Sequence, residues 1–251
     1  MPLIQSVERA LEIIDLFDEY STELKITEIS NRLNLNKSTI HSLLKTLQKH
    51  GYIQQDRETG KYKLGLKLFE RGNLAIQNLD IRAVCRKYLL EISKQTGHTL
   101  HLVIMDGKDA VYIDKIEGTS ANVIYSRVGR RAPLHSTGAG KALVAFKAEE
   151  EWERIFDGYD LEKHTPQTIT DKHALFEELN RIREQGFSYD KEENELGISC
   201  IAVPIRDHTG QVVAASSISM PTPKLKNETE RLLPLMMEAG ENISKELGYR
   251  P

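Results

Sequence analysis

Residues 27–61 constrain the fold of this chain most strongly, because two helical patterns and a hairpin pattern follow one another there with few connecting residues. Ile29 and Leu33 lie four positions apart, as on one face of a short helix, and Thr27 is placed to cap that helix. Leu35 fills the following turn, and Asn36 can cap a second helix. The apolar face of the second helix holds Ile40, Leu43, Leu44 and Leu47.

A glycine and a hairpin complete this segment. Gly51 can end the second helix from the C′ position, where a left-handed backbone is common. Residues 52–64 then predict two short strands around a turn at 56–60. Two helices, a tight turn and a hairpin of this kind outline a winged helix-turn-helix, which makes double-stranded DNA the first partner to consider.

The polar face of the second helix and the wing supply candidate DNA contacts. Steps of about 100° per residue away from the apolar face lead to small polar and basic side chains. Together with two basic residues of the wing, the predicted contacts are Lys37, Ser38, Thr39, His41, Ser42, Lys45, Lys49, Arg57 and Lys61.

Charge divides the beginning of the chain in the same way. Residues 25–67 hold nine basic and three acidic residues, a net charge of +6, whereas residues 4–24 hold one basic and six acidic residues, a net charge of −5. Phosphates would attract the basic segment, and salt would weaken that attraction. The alternative is an ordinary three-helix module whose lysines are merely solvated.

Length and composition limit the remaining choices. A chain of 251 residues forms one large or two modest domains, and a net charge of −3 excludes a generic polycation. Cys85 and Cys200 belong to no CxxC pair, so neither a disulfide scaffold nor a cysteine zinc site is expected. No apolar run approaches the ~18 residues of a membrane span, and the amphipathic N-terminus turns acidic at once, unlike a secretory signal. We therefore predict a soluble cytoplasmic protein without membrane contacts.

Further helices are predicted on both sides of the winged segment. Ser6 can cap a first helix whose inner face holds Val7, Leu11, Ile14 and Phe17. Residues 66–78 favour a helix, so the connection to the rest of the chain is predicted to be helical rather than a flexible tether. Another helix is predicted over 81–96 and ends at Gly97.

From residue 99 onward the apolar period changes to two. Alternating apolar residues on either side of Asp106-Gly107 predict a hairpin. Further strands are predicted at 122–128, 200–206 and 211–219. Helices are predicted at 139–148, after a cap at Thr170 and up to Gly186, and at 228–247 with a bend near Pro234. Helices mixed with antiparallel hairpins indicate an α+β, sensor-like domain.

Two segments of this second domain are candidates for a site. Residues 132–141 form a Gly-containing loop before a helix, which can present backbone N–H groups to an anion. The Walker pattern is not met, since it requires Gly where His135 stands and Ser or Thr where Ala142 stands. Residues 189–200 form a carboxylate-rich loop that leads into an apolar strand beginning at Cys200. A structural turn and a solvated loop are the simpler interpretations.

His98, His101 and His135 could form a metal cluster only if folding brought them together, and a strand-face or helix-capping role is the simpler interpretation of each. We therefore predict no metal site.

The chain resembles the IclR-type (isocitrate lyase regulator) bacterial transcription factors over essentially its whole length. The resemblance rests on the order and spacing of SVERALEIIDLF, HSLLKTLQKHGYI, YKLG, PLHSTGAGKALVA and GFSYDKEENELGISCIAVPI. It implies an α+β protein with an N-terminal winged helix-turn-helix over 1–65, a linker helix over 66–79, and a C-terminal GAF-like effector-binding domain over 80–251.

The same resemblance implies where an effector binds. Position by position, it indicates Gly138, Ala139, Asp190, Cys200, Ser217 and Ser219 as polar contacts, with Ala121, Ile124, Ala132 and Ile198 as an apolar wall. Backbone N–H groups and two hydroxyls on one strand face could hold a carboxylate through several hydrogen bonds. Asp190 would repel that carboxylate, so we expect it to accept from a ligand hydroxyl or to hold a loop. The expected ligand is a small organic acid, with no cofactor.

These observations predict a ligand-responsive regulator, a repressor rather than an activator, that controls metabolic genes and binds a palindromic operator as a homodimer or tetramer. The competing prediction is a GAF-like thiol redox enzyme or sensor, which would need a low-pKa thiolate at Cys200 and, usually, a resolving partner. A third interpretation is a DNA-bending or scaffold protein with a vestigial pocket. No catalytic residue is predicted under the first interpretation.

Overall fold

A computed structural model of the protein describes residues 3–18, 20–77, 80–119 and 126–250. The chain divides into two compact units, Met1–Asn78 and Leu79–Pro251. No helix in the described part of the chain combines the length and the apolar character needed to cross a bilayer.

The first unit is a winged helix-turn-helix, as predicted. Its helices are α1 (Gln5–Asp15), α2 (Ile26–Leu33), α3 (Lys37–Lys49) and α4 (Leu66–Gln77), and its wing consists of β1 (Ile53–Gln55) and β2 (Tyr62–Leu64). The wing strands pair antiparallel, with Ile53 opposite Leu64. Ile40, Leu44 and Leu47 of α3 enter the core of this unit, while the predicted Leu43 is only partly buried at its edge.

Three predicted helix caps of this unit are corrected. Ser6 lies inside α1, whose capping position is Ile4. Thr27 lies inside α2 rather than before it, because Lys25 is the capping residue and its N–H donates to Glu28 Oε2 at 2.7 Å. Asn36 occupies the capping position of α3, but its side chain makes no capping hydrogen bond. Gly51 does follow α3 with φ +78°, and it allows the chain to reverse direction into the wing.

The predicted inner face of α1 is wrong at Val7 and Leu11 and confirmed at Ile14 and Phe17. Val7 and Leu11 are 53% and 57% exposed, whereas Ile13 is fully buried and Phe17 is 8% exposed. The stripe that packs against the core is Ala10, Ile13, Ile14 and Phe17. These residues are spaced i, i+3, i+4 and i+7, so they form an equally regular helical face and leave a second apolar stripe uncovered.

The second unit is built on a six-stranded antiparallel sheet. Its strands are β3 (Thr99–Asp106), β4 (Asp109–Ile116), β5 (Arg131–Pro133), β6 (Ser188–Lys191), β7 (Ile198–Arg206) and β8 (Val212–Pro221), in the spatial order β5-β4-β3-β8-β7-β6. Its helices are α5 (Asp80–Thr96), α6 (Gly138–Ala145), α7 (Glu149–Ile155), α8 (Lys172–Gln185) and α9 (Thr222–Glu246).

Helices cover this sheet on both faces. Leu102 and Ile201 join a core with residues of α5 and α9, while their neighbours Val103 and Ala202 join a core with α6, α7 and α8. Alternation of side chains along each strand therefore sends consecutive residues to opposite layers. The sheet lies between two apolar cores, in an α+β arrangement.

A β-bulge on β4 changes this alternation locally. Leu102 pairs with Asp114 and Val103 pairs with Tyr112, so Ile113 has no opposite residue on β3. Asp114 is 1% exposed and contacts α5, where Arg86 Nη1 donates to its two carboxylate oxygens at 2.6 Å. Arg82 adds a longer contact of 3.5 Å. The bulge therefore lets α5 pair with a buried carboxylate of β4.

Several predicted boundaries of the second unit are corrected. The cap of α8 is Asp171 rather than Thr170, because the Asp171 carboxylate accepts from the Ala174 N–H at 2.8 Å. Residues 188–191 form a strand instead of a loop, and β5 and α7 were not predicted. The last helix starts at Thr222 and continues through Pro234, which is exposed, so water can bond the carbonyl that proline leaves unpaired. Of the predicted strand 122–128, residues 126–128 form no strand and the others lie outside the described residues.

Candidate functional site

The exposed side of α3 presents the predicted DNA contacts. Lys37, Ser38, His41, Ser42, Lys45 and Lys49 are exposed, and Thr39 is half-buried. A hydrogen bond and a left-handed residue stabilise the turn before α3. Ser30 Oγ donates to the Leu35 carbonyl at 2.6 Å, and Asn34 has a left-handed backbone with φ 52°. This turn fixes the angle between the two helices, which decides whether α3 can enter a major groove.

The tip of the wing is ordered by one carboxylate. Asp56 Oδ1 accepts from the N–H groups of Glu58 and Thr59 and from the Thr59 hydroxyl, at 3.0, 2.7 and 2.9 Å. These bonds lower the pKa of Asp56, chiefly through the backbone of Thr59. At the base of the wing, the Gly65 N–H donates to the Tyr52 carbonyl, and a side chain at 65 would meet the Gly51 carbonyl oxygen at 2.0 Å. Gly65 thus lets the wing close against the end of α3.

Two of the predicted DNA contacts are engaged within the protein. Lys61 lies 3.8 Å from Glu23, an exposed pair that contributes little to stability. Ser42 Oγ donates to the Ser38 carbonyl at 3.1 Å, so a base or phosphate would have to compete for its proton. Arg57 is exposed at the wing tip. Whether any of these residues touches DNA stays a prediction.

A cavity in the second unit brings the predicted effector residues together. Cys200 lies between Asp190 on one neighbouring strand and Ser219 on the other, so β6, β7 and β8 present one row of polar side chains. Ser217 lies two positions before Ser219 on β8, so the two side chains point to the same face of the sheet. The cavity has a volume of about 70 Å³ and is also lined by Gly138, Ala139, Ala132 and Ile198. Ala121 and Ile124 lie outside the described residues.

The start of α6 supplies backbone donors to this cavity. Gly138 and Ala139 are the first two residues of α6, and the N–H groups of a first helical turn have no partner within the helix. The Thr137 hydroxyl caps the helix by accepting from the Gly140 N–H at 3.1 Å. A Cβ at Gly140 would lie 2.7 Å from the Pro133 carbonyl oxygen, so glycine lets the loop pack tightly there. The helix dipole adds a partial positive charge at the same point.

A chain of hydrogen bonds crosses the floor of the cavity. His101 Nε2 lies 2.6 Å from Ser126 Oγ, and His101 Nδ1 lies 3.4 Å from Ser219 Oγ. Ser219 Oγ lies 3.0 Å from Cys200 Sγ. Burial lowers the pKa of His101 to about 3, so the imidazole is neutral at physiological pH and offers one donor and one acceptor. Ser217 Oγ has no hydrogen-bond partner among the residues that the structure describes and is free for a ligand.

A buried ion pair supports the loop between β6 and β7. Lys141 Nζ lies 2.6 Å from both carboxylate oxygens of Glu193, and Lys141 is fully buried. The next carboxylate, Asp190, is 4% exposed and accepts the N–H groups of Glu193 and Asn194 at Oδ1. Burial, together with the nearby Glu193, raises the pKa of Asp190 to about 7. The Lys141 ammonium therefore pairs with the Glu193 carboxylate and not with that of Asp190.

The surroundings of Cys200 oppose thiolate chemistry. Burial and, next, the charge of Asp190 raise the pKa of the Cys200 thiol. The other thiol, Cys85, is fully buried in the core on the opposite face of the sheet. A nucleophilic cysteine needs a lowered pKa, and the surroundings of Cys200 shift its pKa in the opposite direction.

Sequence reasoning missed several residues that line the cavity. The sequence predicts a strand-face or helix-capping role for His101 and no role for Tyr112, Ser126, Arg130 and Asn194. A polar imidazole inside the apolar run of β3 was an available signal, because a histidine facing an apolar core would lack partners. Arg130 and Asn194 lie in connecting segments, where spacing carries no information about direction.

The three histidines considered for a metal cluster have separate partners. His98 contacts Glu228, His101 contacts Ser126, and His135 Nε2 bonds to the Glu162 carbonyl. The described part of the chain holds no group of three His, Cys, Asp or Glu side chains arranged to bind a metal ion.

Comparison with known proteins agrees with this architecture. The family model of the IclR helix-turn-helix domain matches residues 6–57, and that of the bacterial transcriptional regulator IclR C-terminal domain matches residues 73–245. The chain belongs to the IclR family. It is 50% identical to the HTH-type transcriptional regulator XynR of Escherichia coli K12, over 99% of each chain. IclR-family proteins are DNA-binding transcription regulators rather than enzymes, so the redox-enzyme alternative is set aside.

Two further relatives widen the comparison. The HTH-type transcriptional repressor AllR of E. coli K12 is 35% identical, over 98% of this chain and 91% of AllR. The crystal structure of an IclR homolog complexed with 4-hydroxybenzoate from Microbacterium hydrocarbonoxydans superposes with a TM-score of 0.85. That homolog is 25% identical, and the alignment covers 96% of this chain and 98% of the other.

Proposed function

We propose that this DNA-binding regulator represses metabolic genes from a palindromic operator, and that a small organic acid in the α6 cavity changes its affinity for DNA. The observation that carries the ligand part is the convergence of free helix N–H groups and serine hydroxyls in one buried cavity. We propose repression rather than activation because the relative AllR is named a transcriptional repressor. Because the operator lies on the bacterial chromosome, we place the protein in the cytoplasm.

We assign different roles to the side chains of the DNA surface. Lys45 and Lys49 on α3, with Arg57 at the wing tip, would contact phosphates through charge. Ser38 and Thr39, near the beginning of α3, would face base edges, since the N-terminal residues of a recognition helix usually do so. Lys37, His41, Ser42 and Lys61 would complete the contacts at the margin of this surface.

We propose a homodimer as the DNA-binding form. In the first unit, Leu3, Ile4, Val7 and Leu11 are exposed in and before α1, and Leu66 and Phe69 are exposed in α4, Phe69 by 70%. Apolar side chains grouped on helix faces mark interaction surfaces rather than ordinary solvent contact. A twofold arrangement would match two half-sites of a palindrome. Association of dimers into a tetramer is compatible with the same proposal.

The cavity favours a small acid as its occupant. A carboxylate could accept from the N–H groups of Gly138 and Ala139 and from the hydroxyls of Ser217 and Ser219. A cavity volume of about 70 Å³ favours a small ligand over a large one. The Microbacterium homolog binds 4-hydroxybenzoate, which is an organic acid of this general kind.

Salt-dependent DNA binding tests the first part of the proposal. The full-length protein is titrated onto a labelled duplex from its own upstream region by fluorescence anisotropy at several salt concentrations. Lys45→Ala should weaken binding and reduce the slope of log K against log salt by about one unit. Lys94→Ala, an exposed lysine of α5, serves as the matched control and should leave both unchanged. Absence of salt-dependent affinity for any duplex would refute the assignment.

Calorimetry tests the ligand part. Lactate, gluconate, benzoate and 4-hydroxybenzoate are titrated into the full-length protein. Loss of a hydrogen bond to a charged group costs about 1.5–3 kcal/mol, so Ser217→Ala and Ser219→Ala should each weaken binding about tenfold or more. Ser216→Ala is the control, since this buried hydroxyl lies on the other face of β8 and has no partner in the described part of the chain. Equal affinities in all three variants would place the ligand elsewhere.

A further inference from the structure

Asp190 occupies an unusual position for a pocket that binds acids. Its side chain lines the cavity and is 4% exposed, so water solvates the carboxylate poorly. Oδ1 accepts two backbone N–H groups, whereas Oδ2 makes no hydrogen bond to any residue that the structure describes. One oxygen of the carboxyl is therefore fixed in the loop, and the other is available to a ligand.

The nearest buried cation is not available to neutralise Asp190. Lys141 Nζ contacts both oxygens of Glu193 at 2.6 Å, and these two groups form a neutral pair. The loop that follows Asp190 carries Glu195, which also lines the cavity. An ionised ligand carboxylate beside an ionised Asp190 would thus place two negative charges in one buried space, an arrangement that strongly raises the pKa of one of the two groups.

The groups that face Asp190 from the surrounding elements do not change this balance. From β7, Cys200 is a neutral thiol, and from β4, Tyr112 is a neutral phenol, since burial raises the pKa of both. From β3, His101 is a neutral imidazole. Arg130 and Arg131 both line the cavity; Arg131 is engaged by Asp106 and Asp109, and the charge of Arg130 is offset by that of Glu195, which lines the same cavity. Lys191 at the end of β6 and Glu192 after it add one charge of each sign.

We propose that Asp190 takes up a proton when an organic acid binds and then donates its O–H to the ligand carboxylate. The proton comes from solvent, the new bond is an O–H···O⁻ hydrogen bond from Asp190, and no other bond is made or broken. Charge-assisted hydrogen bonds of this type are short and strong. Asp190 would thereby select for acids, because a neutral ligand gives no reason to retain the proton. This inference rests on the proposed function of the cavity.

Burial prepares the carboxyl for this role. The pKa of about 7 in the empty pocket means that only a small further shift is needed to hold the proton at physiological pH. Near pH 6 the proton is already present, so binding should take up few protons. Near pH 8 most of the carboxyl is ionised beforehand, so binding should take up close to one proton per site. Affinity should then fall as pH rises above 7, by up to about tenfold per pH unit.

Calorimetry in several buffers measures the proton directly. The four acids named above are titrated into the full-length protein at pH 6 and pH 8, in phosphate, HEPES and Tris, whose ionisation enthalpies differ. The slope of observed enthalpy against buffer enthalpy gives the number of protons bound. We expect at least 0.5 at pH 8 and less than 0.3 at pH 6. This measurement uses the wild-type protein and does not depend on a variant that folds.

Asp190→Asn provides the matched variant, because the amide has the shape of the carboxylic acid, is neutral and can donate. It should retain binding within about threefold at pH 6, show no proton uptake, and lose the decline in affinity between pH 6 and pH 8. Glu241→Gln removes an exposed carboxylate of α9, which packs on the other face of the sheet, and should leave the proton count unchanged. Binding without proton uptake at pH 8 would overturn the inference while leaving the ligand proposal intact. Failure of every acid to bind at either pH would overturn both.

Discussion

Removal of the ammonium group of Lys141 should destabilise the second unit severely. Lys141 is fully buried in α6 and is bound to a carboxylate, Glu193, that is itself 7% exposed. Lys141→Met keeps most of the aliphatic stem and removes only the charge, so it creates little cavity. The Glu193 carboxylate is then left in the interior without a counter-charge, and breaking a buried pair in this way costs about 3–5 kcal/mol.

The loss of stability can be measured as a lower midpoint of urea unfolding. With a slope of about 2 kcal/mol/M in urea, 3–5 kcal/mol corresponds to a midpoint lower by roughly 2 M. Trp152, the single tryptophan of the chain, is fully buried in the second unit, so its fluorescence follows unfolding of this unit. Glu193 can escape part of the cost by protonation, and burial already raises its pKa. The loss should therefore be larger at pH 8 than at pH 5.

Two further variants separate charge from packing. Lys141→Met combined with Glu193→Leu replaces the pair by apolar groups and should recover most of the lost stability. Lys245→Met breaks an exposed pair with Glu241, 3.7 Å apart and more than half exposed on both sides, and should cost at most about 1 kcal/mol. The reasoning fails if Lys141→Met shifts the midpoint no more than Lys245→Met, or if the double variant is no more stable than the single one.

Other perturbations have equally defined outcomes. Gly140→Ala should lower the midpoint measured through Trp152 and weaken acid binding, because its Cβ would lie 2.7 Å from backbone atoms, whereas Gly72→Ala in open space on α4 should be neutral or stabilising. The pKa of Asp190 in the fold lies above its unfolded value of 3.8. Its contribution to stability is therefore complete below about pH 4 and is lost as pH rises through about 7. Asp190→Asn should flatten this decline in stability in urea titrations at pH 5 and pH 8. Leu11→Glu should weaken self-association in sedimentation experiments without changing the Trp152 transition.

Regular patterns made much of the fold predictable. The stripe of Ile40, Leu44 and Leu47 and the glycine at 51 define α3 and its end by local chemistry alone. The inner face of α1 was not predictable in this way, because its sequence contains two apolar stripes of helical period. The apolar period of a helix shows that one of its faces must pack against another surface. It does not show whether that surface belongs to the same chain.

The cavity shows a similar division. Family resemblance selected Ser217, Ser219 and Cys200, and strand pairing places them on one face. The position of Asp190 opposite Cys200 depends on a four-residue strand that looks like a charged loop in the sequence. His101 and Tyr112 reach the cavity through the register of β3 and β4, which is set by long-range pairing and by a bulge. Sequence spacing within one strand cannot reveal either.

The extra residue at Ile113 has a mechanical consequence. Tyr112 lines the cavity on one face of the sheet, and Asp114, two positions later, is bound by Arg86 of α5 on the other. In a regular strand these two residues would point to the same side. Two residues of one strand therefore connect the cavity on one face of the sheet with α5 on the other face. A displacement of Tyr112 would therefore reach Asp114, and with it Arg86 of α5, along two residues of one strand.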